Sequence, residues 1–309
     1  MTPWLSVVMP VHRPEVWLDA ALASIAAAGE VPGAIEVIIR DSTPEGRQGE
    51  AYAQAYAGRL MIDYAHVPDV PSWTAKTNQM VAAARASHVC TLHQDDLWLA
   101  GRARIARELV CRHPGAALLF GPARLVDAGG RDLGGWNPPF APGVIDPARF
   151  RAILLVQNSL AMPAPVFRRD AYLAAGGLDE ALWYTPDWEL WLKLGAQGLV
   201  VCDPRPATAF RIHAGAQTMT RSRAELAAQL AIVLDRHLVP GESTARISRA
   251  SAAINVALAE AAAGERGAVW RALAEFVRLG PVDAGCYLRY SRLAERLWPR
   301  LRLRFAGGL

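Results

Sequence analysis

Apolar positions along the first hundred residues switch between two periods. LSVVMP (5–10) is a nearly unbroken apolar run and predicts a strand buried on both faces. Behind it, Leu18, Leu22 and Ile25 recur at helical spacing, predicting a helix that Pro14 opens. EVIIR (36–40) predicts a second strand, followed by the polar turn DSTPEG, and MIDYAHV a third. Residues 72–86 predict a helix carrying Lys76 and Asn78, and residues 88–92 a fourth strand. Strands alternating with helices predict an α/β chain whose parallel sheet is covered by helices on both faces.

From Ala116 the pattern changes. ALLFGPARLV and DAGGRDLGG predict two strands around a Gly-rich turn. WNPPFAPG reads as a loop and residues 147–156 as a helix. SLAMPAPVFRR is extended, because Pro163 and Pro165 forbid a helix there. A further helix stops at Gly176-Gly177. Residues 222–280 are Ala-rich, with Leu226, Leu230, Val233, Leu234, Ile254 and Leu258 at helical spacing, and predict an appended helical region.

Composition narrows the class. A chain of 309 residues can bury a large core. With 52% hydrophobic and 20% charged residues it is globular rather than disordered. No apolar run is long enough to span a bilayer. MTPWLSVVMPVHRPE has no basic segment ahead of its apolar run, so no secretory leader is expected. Cys90, Cys111, Cys202 and Cys286 are scattered, which argues against a zinc site or disulfide framework and fits a cytoplasmic protein. A net charge of +4 is too mild to imply nucleic acid. The charge is uneven, however. Between Tyr287 and Leu309, six arginines stand against Glu295, interleaved with Leu, Trp and Phe. Such a segment suits an anionic membrane surface, or else a C-terminal helix packed on the body and kinked or ended by Pro299.

The densest chemistry lies in HVCTLHQDDLW (88–98). A buried strand runs straight into His93, Asp95 and Asp96. Unpaired carboxylates cannot serve the core, and ligands of open α/β sheets bind beyond the carboxyl ends of strands. Oxygen-rich residues there suit a divalent cation. The competing reading is that Asp96 caps a helix over 97–110. Neither a dinucleotide fingerprint nor a P-loop follows the first strand.

Five segments in order resemble the family 2 glycosyltransferases of GT-A fold: LSVVMPVHRP, EVIIRDST, LHQDDLW, GGLDEALWYTPDWELWLKLGAQG and FRIHAGAQT. The resemblance covers roughly residues 4–220. It implies a glycosyltransferase domain over 1–220, with a nucleotide-binding half over about 1–115 and an acceptor half over 116–220, followed by a helical region over 221–309. It implies inverting transfer of a sugar from a nucleotide-diphosphate donor to an acceptor hydroxyl. The acceptor would be a saccharide or lipid-linked, in bacterial surface polysaccharide or glycolipid synthesis, with the enzyme cytoplasmic or peripheral at the inner membrane face.

The matched positions take roles by resemblance. Pro10 and His12 cradle the nucleotide, and Asp41 contacts base or ribose. Asp95 is the last acid of a D-x-D motif and ligates Mn²⁺ or Mg²⁺. The first acid of that motif is His93 here, a donor-side candidate whose neutral imidazole can hydrogen-bond a ribose hydroxyl or diphosphate oxygen or ligate a softer divalent metal; the swap lowers the local negative charge and works against tight Mg²⁺ binding. His213 is a second ligand or diphosphate contact. Asp187 is the general base. Thr185 is positioned to cap its helix and Pro186 to open it, so the helix dipole favours the carboxylate form of Asp187. Pro186 stands where the family usually has an acid. Lys76 and Asn78 are donor-side candidates, although a lone Lys on a helix is usually solvated. Arg211, Arg221 and Arg223 could reach the diphosphate. Asn158, Trp183 and Trp188 are acceptor-side candidates, although Trp at helical spacing is more often core. The alternative is a non-catalytic GT-A module that binds a nucleotide sugar or a partner protein.

Overall fold

The computed structural model describes residues 2–14, 16–215, 222–239 and 241–305. Arg221 lies outside them. β1 (Leu5–Val11) is apolar on both faces because it is the interior of a sheet. It pairs in parallel with β2 (Ile35–Asp41) and with β4 (His88–Thr91), and β3 (Met61–His66) pairs in parallel with β2. These strands form one half of an eight-stranded sheet of order β3-β2-β1-β4-β10-β6-β11-β9. In the other half, β10 (Val166–Arg168) lies antiparallel between β4 and β6 (Ala116–Phe120). β11 (Leu199–Cys202) runs parallel to β6, and β9 (Gly143–Ile145) is an antiparallel edge. The sheet is therefore mixed. A second sheet, β5-β12-β7-β8, joins β5 (Leu97–Trp98), β12 (Thr208–Arg211), β7 (Ala123–Val126) and β8 (Asp132–Trp136).

Successive β1 residues face opposite layers. Leu5, Val7 and Met9 pack with Leu18, Leu22 and Ile25 of α1 (Val16–Ala26). Val8 points to the other side, toward Met80 and Val81 of α3 (Trp73–Ala83) and Trp191 of α7 (Pro186–Ala196).

Four local expectations are corrected. The segment after β2 contains a helix, α2 (Gln48–Tyr56), with too few apolar residues to show in the sequence pattern. Leu97 and Trp98 form β5, and the next helix, α4 (Arg102–Arg112), starts behind Gly101, so Asp96 is not a cap. ALLFGPARLV splits at Gly121 into β6 and β7, which belong to different sheets. A Cβ at Gly121 would lie 2.9 Å from Asp203 O. Thr185 sits at the N-cap of α7, but its hydroxyl makes no capping bond.

Between the sheets, α5 (Pro147–Val156) leads through residues 157–165 to β10, and α6 (Arg169–Ala174) follows. Beyond residue 221, Leu226, Leu230, Val233 and Leu234 of α8 (Arg223–His237) join the same core cluster as Trp191. α9 (Ala245–Ala262), α10 (Ala268–Arg278) and α11 (Gly280–Ser291) bury their own cluster around Ile254, Leu279 and Tyr287. α12 (Leu293–Phe305) contains Pro299 and packs beside β8, with Leu303 seated among Leu125, Leu133 and Ile212. No helix among the described residues is long and apolar enough to cross a membrane.

Candidate active site

The carboxyl ends of β1, β2 and β4 meet at one edge of the large sheet. Pro10 lies within β1 opposite Arg40, one residue before the strand ends at Val11. His12 is exposed beyond it. Its Nδ1 lies 3.2 Å from Ser42 Oγ, and its backbone exchanges two bonds with the Gln94 amide, 2.9 and 3.1 Å. Arg13 follows with φ 48°, a left-handed conformation unusual for a side-chain-bearing residue.

Asp41 is fully buried. One carboxylate oxygen accepts from Thr43 N and Oγ1, the other from Gly49 N and Tyr64 OH, at 2.6 to 3.0 Å. Burial disfavours its charge, but these four donors outweigh it and hold the pKa below the usual value. Asp41 is therefore occupied in pinning the start of α2 to β2 and β3. Lys76 is likewise not solvated. It is 1% exposed, and its Nζ donates to Val11 O at 2.6 Å and Ser42 Oγ at 2.7 Å. Burial, opposed by the charge of Asp41, lowers its pKa to about 8. Asn78 bonds Leu178 O and Glu180 with its amide nitrogen, while its oxygen accepts from Leu178 N and Tyr172 OH. It holds the turn behind α6.

At the end of β4, ligand atoms of His93, Asp95 and Asp96 lie within 4.8 Å of one another. His213 Nε2 meets Asp95 Oδ2 at 2.9 Å. Asp96 Oδ1 accepts from Arg211 N at 3.0 Å. Arg211 is buried and donates to the backbone oxygens of Asp95, Asp127 and Ala128, with its guanidinium over Trp17. It ties this loop to the small sheet rather than reaching outward. Burial opposes ionisation of Asp95, but the hydrogen bond from His213 and the neighbouring imidazoles hold its pKa below the usual range. Burial, with the Asp95 charge second, pushes Asp96 well above it. Burial lowers His93.

Asp187 stands in the first turn of α7, half-buried, and its Oδ2 accepts from Asn158 Nδ2 at 2.9 Å. The sequence suggested a carboxylate favoured by the helix dipole. Burial wins instead, raising the pKa to about 6 against the hydrogen bonds from Trp188 N–H and Asn158. Trp188 is a core residue, 4% exposed, donating to Leu154 O at 2.8 Å, so it does not line an acceptor pocket. Trp183 is half-buried, contacts the Tyr184 ring edge-on, and its backbone N–H bonds Gln229. Met162 O accepts from the Thr91 hydroxyl of β4 at 2.9 Å. The segment 158–162 thus bridges the strand that carries the acidic cluster and the carboxylate of Asp187.

No family model matches the sequence. Among solved structures, the chain is similar to S. aureus TarS 1–349 in complex with UDP-GlcNAc, at 13% identity and TM-score 0.62, covering 95% of this chain and 91% of that one. Against another structure of S. aureus TarS, 91% of this chain spans 54% of that chain, at 14% identity and TM-score 0.57. It is also similar to the mannosyltransferase PcManGT from Pyrobaculum calidifontis in complex with GDP-Man and Mn²⁺, at 16% identity and TM-score 0.56, covering 96% and 88%. At these identities the likeness is one of fold. The chain has the GT-A fold.

On this GT-A framework the acidic cluster fits a divalent cation. His93 Nε2 and Asp96 Oδ2 are both buried without a hydrogen-bond partner among the described residues, and both converge with Asp95. Buried polar atoms left without partners are uncommon in native structures. One imidazole and two carboxylates suit Mn²⁺ as well as Mg²⁺. Asp96, which the sequence left between a helix cap and a cation site, joins His93 and Asp95 in this cluster. Gln94 and Ser42 escaped notice because each acts through partners thirty or more residues away.

Proposed function

We infer that this chain is an inverting, family 2-type glycosyltransferase that moves a sugar from a nucleotide-diphosphate donor to an acceptor hydroxyl. The observation that carries this reading is Asp187. It is a carboxylate with pKa about 6, aimed by Asn158 and linked through residues 158–162 to the acid-rich end of β4. A base that ionises near neutrality is suited to taking a hydroxyl proton during attack. Asp187 accepts the acceptor's proton as its oxygen bonds to the anomeric carbon. The bond from that carbon to the diphosphate oxygen breaks, and the nucleoside diphosphate leaves with the electron pair. A single in-line displacement inverts the anomeric centre. A divalent cation held by His93, Asp95 and Asp96 would neutralise charge on the leaving diphosphate.

On the donor side, exposed His12 contacts the nucleotide. Asp41, Lys76 and Arg211 hold the surrounding loops, and His213 orients Asp95. Asn158 and Trp183 belong to the acceptor side, and the helices after residue 221 support it. The acceptor is a saccharide or a lipid-linked saccharide of bacterial surface polysaccharide or glycolipid synthesis, used from the cytoplasmic side. Exposed Trp270, Val277, Val282 and Trp298 on the C-terminal helices support peripheral membrane contact.

The test is release of nucleoside diphosphate from a donor panel with Mn²⁺, beginning with UDP-GlcNAc and GDP-Man. Turnover of at least one donor, with inversion seen by NMR of the product, is the expected result. A protein that binds these donors but never turns one over is a non-catalytic module.

A further inference from the structure

A narrow, open groove runs between α12 and the small sheet. Trp136 at the end of β8 and Asn137 just after it wall one side, Ser159 comes from the segment behind α5, and Glu295, Arg296 and Arg300 from α12. Its charges do not balance. Glu295 is matched, pairing with Arg292 and accepting from Asn137 Nδ2 at 3.1 Å. Arg296 and Arg300 are not. Arg296 donates to Gln157 Oε1 at 2.6 Å, Asn255 Oδ1 at 2.9 Å and Ser291 O at 3.4 Å, all uncharged. Arg300 donates to Arg296 O at 2.6 Å. Among the described residues neither guanidinium meets a carboxylate. Burial and mutual repulsion lower Arg296 to about 10. Ser159 Oγ, in a residue only 3% exposed, has no hydrogen-bond partner among the described residues.

The groove adjoins the base. Ser159 directly follows Asn158, which bonds Asp187 at 2.9 Å. Arg296 and Arg300, one turn apart on α12 and neither meeting a carboxylate, line the same groove as the unpartnered Ser159 hydroxyl and match an oxyanion, which arginine binds with charge-assisted bonds.

Resting on the glycosyltransferase reading, we propose that this groove is an acceptor subsite for an anionic group, a phosphate or a carboxylate, carried beside the attacking hydroxyl and held by Arg296, Arg300 and Ser159 Oγ. The C-terminal helix α12 thereby sets which acceptors are used, selecting negatively charged ones.

The experiment is calorimetric titration at low salt with methyl phosphate and, separately, methyl glucuronide, in the presence of a saturating nucleoside diphosphate. Arg300→Gln is the cleanest variant, because among the described residues the Arg300 side chain bonds a backbone oxygen of its own helix alone. Wild-type protein is expected to bind one probe, and Arg300→Gln to weaken it about tenfold or more. Ser159→Ala should weaken it less. Tighter binding of methyl phosphate identifies a phosphate-bearing acceptor, and tighter binding of methyl glucuronide a uronic acid. The proposal is overturned if neither probe binds, or if Arg300→Gln and Arg296→Lys both bind like wild type. It is also overturned if the nucleoside diphosphate displaces the probe, which would give the arginines to the donor. Should the wild-type protein turn over no donor while Arg300-dependent anion binding persists, the enzymatic reading falls and the acceptor role with it, leaving only an anion site.

Discussion

Asp187 shows how one side chain balances stability against chemistry. Its folded pKa of about 6 lies above the ordinary 3.8. The folded state therefore disfavours the ionised form, and the acid destabilises the protein above about pH 6 but not below about pH 4. Asp187→Asn should gain roughly 1–3 kcal/mol in unfolding stability at pH 8, with the gain vanishing near pH 4. Denaturation at the two pH values checks this, and equal stability of the variants at pH 8 contradicts it. The same substitution should lower turnover about 10² to 10⁴-fold. In the wild type, kcat/KM should rise with pH through about 6, since the base must be ionised. A second residue, Asp95, is tested by its ligand. In wild type, Mn²⁺ at 100 times its dissociation constant should add about 2.7 kcal/mol of stability. Asp95→Ala should abolish that gain along with transfer, and a full Mn²⁺ shift in the variant removes Asp95 from the metal site. Asp95 and Asp187 were legible in the sequence because their flanking segments are distinctive. The burial that inverts the effect of the helix dipole on Asp187 was not, because it depends on Asn158 and the packing of α7.

Elements are tied together here by a few close approaches. Gly177 has φ +66°, and a Cβ there would lie 2.6 Å from Asn78 Oδ1 and 3.0 Å from Tyr172. The bonds of Asn78 to Leu178 and Glu180 need that space. Gly177→Ala should therefore destabilise by about 1–3 kcal/mol, combining left-handed strain with a broken buried hydrogen-bond cluster. An unchanged midpoint in denaturant would show that the turn can relax. The strands and longer helices could be read from apolar periodicity. α2 could not, since only Gly49, Ala53 and Tyr56 of its nine residues are buried, and it is held by Asp41 through Gly49 N and the docking of Tyr64. The burial of Lys76 was hidden for the same kind of reason. A lysine at a helical position looks solvated until the ends of β1 and β2 close over it.

For the whole molecule, the C-terminal helices decide what surrounds the site. Leu303 and Arg296 anchor α12 to the body, while Trp298 and Leu301 stay 63% and 43% exposed. Trp298→Ser with Leu301→Ser should reduce co-sedimentation with anionic vesicles at low salt, because this apolar area is what a bilayer interface would bury. Equal sedimentation of the double variant and wild type would leave the tail with a packing role alone. The sequence by itself determined the alternating core, the parallel pairing of the first strands, and the clustering of His93, Asp95 and Asp96 at one strand end. These depend on neighbours close in sequence, where side-chain period and chemistry act directly. The tertiary structure decided the mixed sheet, the burial of Lys76, Asp41 and Arg211, the placing of Trp188 in the core, and the meeting of α12 with the segment that holds Asp187. Those outcomes depend on desolvation and on partners far along the chain, and no local pattern encodes which distant group will arrive to satisfy a charge.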